Sequence, residues 1–286
     1  MSRGLSTCVV MSLLTTVVLG SDWHEKLMIR QSLLDQNMVA NPATVAFLRP
    51  QQGSNSYNVD AAVAYNFSRK VQSLSLGPML EVHKNTELDA SQDTLLAGVT
   101  GTWLAGDLTE GAMAAFLDFD ASYKRDRSAQ TEGTLLHATL TPLIKMKHVP
   151  LGGMAKGTAQ FKWLLQPTVG VEYDDVSEAA AGVPTGSRVR AIGDLKADLY
   201  PWATRLSKRL SLAVKYGVRL DLSESRVLDD PRDRRYLRTA SLNYYFSPEK
   251  DGVAQLGFGL DWVDGENPST GLSDQEYTQF SFKVKL

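Results

Sequence analysis

The sequence predicts an all-β fold, a transmembrane antiparallel up-and-down β-barrel of about twelve strands with a short N-terminal helical segment. Three observations lead to this prediction. The final stretch, Tyr277 to Leu286, alternates apolar and polar side chains to its last residue. A series of similar alternating segments precedes it from Ala43 onward, and the links between them alternate between short and long. A terminal strand of this kind needs a partner on both edges, which favours a closed barrel.

The final stretch divides cleanly into two faces. Phe280, Phe282, Val284 and Leu286 share one face, and the residues between them are polar. This pattern resembles the closing strand of bacterial outer-membrane β-barrels, which ends on an aromatic residue, although here the last residue is a leucine. The resemblance is to this general, porin-like class. It implies a location in the bacterial outer membrane and contact with membrane lipid and lipopolysaccharide.

Composition excludes some functions, but it does not distinguish a soluble protein from a membrane barrel. Apolar residues make up 43% of the chain and charged residues 22%, which suits a soluble protein and equally a barrel with a polar lumen. The net charge of -2 gives no electrostatic basis for binding nucleic acid. Cys8 is the only cysteine, so a disulfide framework and a cysteine metal site are both excluded.

The N-terminus has the layout of a secretory signal peptide, predicted to span residues 1–20. Arg3 provides a basic start, an apolar run covers Val9 to Leu19, and Gly20 is a small residue at the expected cleavage position. The alternative is a buried N-terminal helix. Beyond this run no stretch reaches the roughly 20 apolar residues of a spanning helix, so the chain is predicted to cross the membrane as strands.

Residues 21–42 are predicted to form an N-terminal helical segment or plug. Ser21 or Asp22 can cap a helix that runs to Val39, and Asn41 followed by Pro42 would end it. Such a helix could plug the lumen or lie on the periplasmic rim, and a loosely ordered leader is the remaining alternative. The barrel itself is assigned to residues 43–286.

The predicted strands are bounded by clusters of Gly, Pro, Asp, Asn and Ser, and most have the length of roughly ten residues that a tilted spanning strand requires. They run Ala43 to Pro50, Tyr57 to Phe67, Gln72 to His83, Thr94 to Ala105, Gly111 to Lys124, Gly133 to Lys147, Gly157 to Tyr173, Arg188 to Trp202, Arg209 to Leu222, Arg234 to Phe246, Val253 to Val263 and Gln275 to Leu286.

The links predict which end of the barrel is which. Links such as Ser68 to Val71 and Ser247 to Gly252 are short, whereas His83 to Asp93 and Asp174 to Ser187 are long and polar. Short periplasmic turns and long outer loops are typical of outer-membrane barrels. Aromatic residues near the strand ends, including Tyr57, are expected to form interfacial girdles.

The polar face of the strands is predicted to line the lumen. Its charges nearly balance, which favours a lumen crossed by salt bridges over a pore selective for one sign of ion. The charged and titratable residues assigned to the lumen are Asp60, Glu81, His83, Asp118, Asp120, Lys124, His137, Lys145, Lys162, Glu172, Arg190, Asp194, Lys196, Asp198, Lys215, Arg219, Asp221 and Lys283.

No catalytic, cofactor or metal site is predicted. The outer-membrane phospholipase family carries a His-x-Ser pair, and the nearest match here is His137 followed by Ala138 and Thr139, which lacks the serine and is assigned to the lumen. Asp118 and Asp120 have the spacing of an acid/base or metal pair, but ion pairing with neighbouring strands is the simpler interpretation. The acidic run from Asp261 to Asn267 could hold calcium, although a turn explains it better.

Arginines gather near the outward end of one predicted hairpin. Because arginine suits phosphate and the outer leaflet presents phosphorylated glycolipid, they are predicted to contact lipopolysaccharide, with local ion pairing to nearby aspartates as the alternative. These residues are Arg226, Arg232, Arg234, Arg235 and Arg238.

The leading functional hypothesis is a passive channel or porin-like protein for small polar solutes, with specificity set by the lumen charges and the N-terminal segment. The alternative is a non-transporting barrel that serves as a scaffold or receptor for an envelope protein partner. A membrane-embedded, phospholipase-type hydrolase is the third hypothesis and the one least favoured by the sequence.

Overall fold

The computed structural model describes residues 26–34, 41–48, 56–67, 74–86, 91–106, 112–145, 150–151, 156–158, 160–206, 208–225, 234–248 and 254–285. The regular elements in these ranges are all strands. They are β1 (Leu27–Arg30), β2 (Ala43–Leu48), β3 (Ser56–Tyr65), β4 (Leu74–Asn85), β5 (Gln92–Gly106), β6 (Met113–Asp126), β7 (Thr131–Lys145), β8 (Pro150–Leu151), β9 (Lys156–Gly157), β10 (Phe161–Ala179), β11 (Gly186–Pro201), β12 (Leu210–Glu224), β13 (Arg234–Tyr245), β14 (Gln255–Asn267) and β15 (Leu272–Lys285).

The sheet closes on itself, as the sequence predicted. Sequential long strands pair antiparallel around the molecule, and the last strand, β15, pairs with both β14 and β2. The result is a closed antiparallel barrel of 12 strands. The two-residue strands β8 and β9 lie beside β10 at one end. Closure through the pairing of β15 with β2 is what a bilayer requires of a spanning sheet, because backbone groups on an open edge would lack partners there.

The first wall position is shared by two short strands, β1 and β2, which both pair antiparallel with β3. Arg30 lies opposite Ala62, and Thr44 lies opposite Asp60. Ala43 would therefore follow Arg30 in register if residues 31–42 were absent. These residues are here called the inward segment, of which 31–34 and 41–42 are described. The amide of Gln31 donates to the carbonyl of Asn41 at the base, 2.9 Å away.

The helix predicted from Ser21 to Val39 does not hold where this stretch is described. Leu27–Arg30 is a strand, because its backbone groups complete the ladder on β3. The signal peptide, residues 21–25 and residues 35–39 lie outside the described residues. Within the described ranges, no helix is long and apolar enough to cross a bilayer.

The predicted contrast between short and long links is wrong. Strands β10 and β11 continue to Ala179 and from Gly186, so most of the polar link predicted from Asp174 to Ser187 is paired strand. The reason is that polarity marks where lipid contact ends, whereas backbone pairing continues beyond it in a hairpin. We call the end with Lys285 the lower rim and the end with the hairpin at 180–185 the upper rim.

The two faces of the wall follow the predicted alternation. On β10, Val169 and Val171 point outward with exposures of 58% and 52%, whereas Gln166 and Thr168 point inward and are buried. On β15, Phe280 is 61% exposed, and Ser281 on the inner face is fully covered. An apolar outer face with a polar interior is the inverse of a soluble protein and suits a bilayer.

One apolar cluster interrupts the polar interior. Leu33 and Leu34 of the inward segment are buried against wall residues of the inner face, with Met28 at the margin. The wall members are Ala62, Ala64, Met79, Leu96 and Leu135. The small residues Ala62 and Ala64 leave room on β3 for the two leucines, so the inward segment is seated inside the barrel.

Candidate functional site: the polar lumen

The structure places nearly all the charged residues assigned to the lumen on the inner face. Glu81, Glu172, Arg190 and Lys196 are at most 1% exposed. Lys162, Asp194 and Asp221 are half-buried on the same face. Lys145 is the exception, because β7 ends there and the side chain is exposed at the lower rim. The remaining members are buried on the inner face, namely Asp60, His83, Asp118, Asp120, Lys124, His137, Asp198, Lys215, Arg219 and Lys283.

Arg190 is the centre of the largest ion-pair network. Its guanidinium contacts Glu172, lies 3.4 Å from Asp174 and lies 3.2 Å from Asp221. The register explains the cluster, because Glu172 on β10 lies directly opposite Arg190 on β11, and Asp221 on β12 lies on the other side. A guanidinium with several donors suits three surrounding carboxylates.

The network extends along the upper half of the lumen. Arg188 pairs with Glu224, and Lys124 approaches Asp174 at 3.7 Å from β6. Arg219 reaches Glu172 at 4.0 Å. Arg235 contacts Asp221 and Glu266 from the inner face of β13. Arg235 was predicted to contact lipopolysaccharide, but it alternates with outward Arg234 and Tyr236 and therefore faces the lumen.

The turn between β14 and β15, residues 268–271, folds into the lumen and is here called the inward turn. Ser269 and Thr270 are 0% and 5% exposed, and the Ser269 hydroxyl donates to Glu172 across the barrel. The Lys124 amine donates to the Pro268 carbonyl at 2.7 Å, and the Gln92 amide donates to the Thr270 carbonyl at 2.5 Å.

A bulge explains why this turn bends inward. The pairing of β14 with β15 shifts register between Gly265 and Asn267, and Gly265 has a φ of 106°. Such bulges increase local twist and redirect the strand. Gly271, with a φ of 73°, then packs closely against Thr94 and Asp126 on the far wall. The inward turn is therefore held on both sides of the lumen.

The inward segment is anchored by a second polar cluster. The Ser32 hydroxyl and the Leu33 amide donate to the two oxygens of Glu81, at 2.6 and 2.8 Å. The imidazole of His83 lies between Glu81 and Asp60, at 2.5 and 2.8 Å. Glu81 thus joins the segment to the wall through both of its oxygens.

Three further ion pairs lie on β11 to β15. The Lys283 amine contacts Asp261 at 2.6 Å and the Thr44 hydroxyl at 3.0 Å across the seam. Lys215 contacts Asp194 at 3.2 Å, and Lys196 contacts Asp198 at 3.6 Å. Two of these pairs join neighbouring strands and the third lies within β11, and in each pair the opposite charges neutralise the lumen locally.

The residues considered for hydrolysis form a structural pair inside the barrel. The His137 imidazole lies 3.3 Å from Asp120, and Asp118 accepts a hydrogen bond from Thr102 at 2.6 Å. His137 and Thr139 are both buried on the inner face. The geometry does not present this histidine to membrane lipid, where a phospholipase would need it.

The run from Asp261 to Asn267 is strand rather than the predicted turn. Asp261 faces the lumen, Asp264 pairs with Arg238 on the outer face at 3.2 Å, and Glu266 pairs with Arg235. The alternation of a strand separates these carboxylates, so they do not converge on one ion. Among the described residues no cluster of His, Cys, Asp and Glu could hold a metal.

Of the arginines predicted to meet lipopolysaccharide, Arg234 and Arg238 are exposed on the outer face. Arg238 lies 4.8 Å from the ring centre of Tyr236 and 5.9 Å from that of Tyr216. Arg226 and Arg232 lie outside the described residues. Both described arginines lie on β13, and Arg238 lies beside two aromatic rings.

A cavity of about 90 Å³ lies in the lumen between the inward segment and the inward turn. Gln31, Ser32 and Asn41 line it from the segment, and Asn267 and Thr270 line it beside the turn. Wall residues complete the lining, including Asp60, His83, Lys196, Lys215, Thr239, Ser241, Asp261 and Gln279.

Sequence reasoning missed the inward turn and the partners that hold it. Gln92, Asp174 and Arg188 belong to the lumen network, but they were assigned to links or strand ends. The available signal was the continued period of two from Glu172 through Asp174 to Val176, which marks a strand longer than its apolar part. No local signal marks Ser269 as a lumen residue.

No protein-family model matches the chain, and no curated protein matches its sequence. It is similar in structure to the transport unit of the autotransporter AIDA-I from Escherichia coli, with 11% identity, a TM-score of 0.47, and coverage of 98% of this chain and 97% of that one. The NanC porin gives 8% identity, a TM-score of 0.45, and coverage of 86% and 98%. The outer membrane channel DcaP of Acinetobacter baumannii gives 10% identity, a TM-score of 0.31, and coverage of 86% of this chain and 72% of that one.

The TM-scores below 0.5 do not by themselves define a function for this chain. The closed antiparallel barrel, with its apolar outer face and polar lumen, is the architecture of outer-membrane proteins. This chain is a closed antiparallel β-barrel of 12 strands, and its apolar outer face and polar interior suit a bilayer.

Proposed function

We propose that this barrel is a passive, porin-like channel for small polar solutes, narrowed by the inward segment and the inward turn. The observation that carries the proposal is a lumen lined mainly by polar side chains around one apolar cluster, with charges such as Arg190 and Lys283 held in pairs between neighbouring strands. Paired charges provide a hydrated path without a strong preference for ion sign.

The two inward elements would set the size limit of this channel. Each is joined to the wall by a few hydrogen bonds, through Glu81 for the segment and through Lys124, Gln92 and Glu172 for the turn. Hydrogen bonds to charged groups contribute about 1.5–3 kcal/mol each. Release of the segment would also expose Leu33 and Leu34, which are buried against the wall, whereas the turn buries the small polar side chains of Ser269 and Thr270. The proposed channel therefore opens by transient release of the inward turn.

Recordings of purified protein in a planar lipid bilayer test the proposal. We expect discrete, small conductance steps with weak preference between cations and anions. A matched comparison uses Ser269→Ala, which removes the hydroxyl that reaches Glu172, and Ser225→Ala, which removes a hydroxyl paired with Ser187 at the exposed upper rim. Only the first should raise the open fraction. A barrel that is folded and silent in both variants would refute the channel.

The second candidate is a non-transporting scaffold or receptor in an envelope assembly. It is favoured by the extent of filling, because the inner-face residues are buried and the cavity is only about 90 Å³. A silent barrel that co-purifies, after crosslinking in cells, with one defined envelope protein would support this function.

We also propose that Arg234 and Arg238 contact lipopolysaccharide phosphate at the outer leaflet. Both are on the outer face, and arginine presents a fork of donors suited to phosphate. Binding of lipopolysaccharide to the detergent-solubilised barrel should weaken in Arg234→Gln/Arg238→Gln. Unchanged binding would show that neither arginine contacts lipopolysaccharide and that Arg238 serves only in its ion pair with Asp264.

A further inference from the structure

We propose that the cavity between the inward segment and the inward turn is a binding site for a small neutral polyol, about the size of glycerol. The inference deepens the proposed channel function and rests on it, because it assigns a solute class to the same lumen. Both ends of the cavity are formed by the inward elements, at Ser32 and at Thr270. A solute that reaches it contacts the described parts of both inward elements and the inner wall.

Asp261 and Asn267 line the cavity, and each carries an acceptor oxygen suited to a ligand with hydroxyl donors. Asp261 and Asn267 are 4% and 6% exposed, and within the described part of the chain their Oδ1 atoms receive no hydrogen bond. The other oxygen of Asp261 already accepts from Lys283 and Ser281, each at 2.6 Å. Buried polar groups are usually hydrogen-bonded, so two such acceptors on residues beside one cavity favour a ligand that can donate to both.

The charges around the cavity favour a neutral ligand over a charged one. Lys215 lies 3.2 Å from Asp194, and Lys196 lies 3.6 Å from Asp198. The Asp60 carboxylate lies 2.8 Å from His83. A charged solute would have to compete with these pairs in a buried site, where breaking a pair is costly. Hydroxyl groups can donate to Asp261 and Asn267 without disturbing them.

The remaining lining also suits a polyol. Thr239 and Ser241 provide hydroxyls, and Gln31 and Asn41 provide amides. The volume of about 90 Å³ is smaller than the roughly 150 Å³ of an engineered cavity that holds benzene. A ligand of about six non-hydrogen atoms is therefore the upper size.

Saturation-transfer NMR on the purified barrel in detergent tests this site with three probes of similar size, namely glycerol, glycine and propylamine. We expect saturable transfer to glycerol, and much weaker transfer to the zwitterion and the cation. Asn267→Leu removes an acceptor at similar side-chain size and should weaken glycerol binding roughly tenfold. Asn243→Leu is the matched control, since Asn243 has a buried Oδ1 without a described partner but does not line the cavity.

Two further variants test the same site independently. Ser241→Leu should fill the cavity and abolish transfer to glycerol. Asn267→Asp keeps an acceptor oxygen and adds negative charge, so it should retain glycerol binding within a few-fold and gain binding of propylammonium. Each variant must first be shown to fold. The folded barrel migrates in gel electrophoresis as a compact band before heating, and this band shifts after boiling.

Several outcomes would overturn the proposal. Equal transfer to all three probes would remove the neutral-polyol class, and glycerol binding unchanged by both Asn267→Leu and Ser241→Leu would remove the site. Because NMR binding does not require current, it separates this inference from the channel. Glycerol binding to a barrel that conducts no current would support the binding site and refute the channel. Conductance without glycerol binding would support the channel and refute the binding site.

Discussion

At the scale of single residues, the lumen contains buried charges that are compensated by neighbouring charges of opposite sign. Arg190 is 1% exposed and meets three carboxylates, Glu172, Asp174 and Asp221. Removing a partner from a buried pair leaves charge without compensation and is far more costly than removing an exposed pair. Burial, rather than the mere presence of the ion pair, therefore determines how strongly each arginine matters.

Arg190→Met should lower the free energy of unfolding by about 3–5 kcal/mol. Arg125→Met is the control, because Arg125 pairs with Glu132 at 3.0 Å but is 49% exposed, and it should cost about 0–1 kcal/mol. Urea unfolding of the barrel in lipid vesicles measures both. Equal, small losses would show that water compensates the carboxylates around Arg190.

Gly271 is the second residue with a sharp expectation. A Cβ there would lie 2.3 Å from the Thr94 hydroxyl and 2.6 Å from Asp126. Asp126 is held by Ser128 and the amide of Ala129, so it has little freedom to move. Gly271→Ala should lift the inward turn from the far wall and raise single-channel conductance.

Gly182→Ala provides the matched control. Gly182 has a φ of 89°, similar to the 73° of Gly271, but a Cβ added there meets nothing within 4 Å. Both variants bear the cost of a left-handed alanine, about 1–2 kcal/mol, and only Gly271→Ala bears the clash. If both variants changed conductance alike, backbone strain at the upper rim would be the cause.

At the scale of elements, the inward segment is an insertion into one wall strand. Arg30 lies opposite Ala62 and Thr44 opposite Asp60, so the two halves of the strand keep a common register on β3. Anchoring by Glu81 and burial of Leu33 and Leu34 hold the segment inside.

Deletion of residues 31–42 should splice β1 directly to β2 and leave a folded barrel with a wider lumen. Ala43 would then follow Arg30 in register, and Thr44 would still face inward. Conductance in planar bilayers should increase, because Ser32, Leu33 and Leu34, which lie against the inner wall, are gone. A folded deletion variant with wild-type conductance would show that the segment does not limit passage.

Deletion of residues 31–43 is the control for register. It moves Thr44 by one position, to lie opposite Ala61, and turns every β2 side chain to the wrong face. This variant should fail to close and should lose the heat-sensitive band on electrophoresis.

At the scale of the whole molecule, closure and the inverted distribution of polarity determine behaviour in solvent. The outer face exposes large apolar side chains on many strands, such as Leu80 at 48% and Val169 at 58%. Exposed apolar patches of this extent are not stable in water. The seam that completes the wall is short, with four register pairs from Ser281↔Ala46 to Val284↔Ala43.

The chain without residues 1–20 should therefore require detergent or lipid to remain monodisperse. Before heating it should migrate as a compact band in gel electrophoresis and shift after boiling, because closed backbone pairing resists detergent until heat opens the seam. A monodisperse protein in plain buffer, or an unchanged band, would refute the membrane barrel.

The sequence by itself determined the twelve-strand wall from Ala43 onward, the faces of its strands and the closure between β15 and β2, but not strand β1. The reason is physical. In a barrel each wall residue faces either lipid or the lumen, so the alternation of apolar and polar residues along a strand shows which residues face which side. The same alternation placed Asp118, Glu172 and Arg190 on the inner face before their partners were known.

Only the tertiary structure decided how the lumen is filled. Ser269 and Glu172 are 97 residues apart and meet because the barrel curves their strands to opposite walls. The bend at Gly265, the return of the chain to β3 at Thr44, and the inward position of Arg235 depend on register and twist across strands. Alternation of polarity fixes which face a residue takes, but closure of the barrel fixes which residues meet across it.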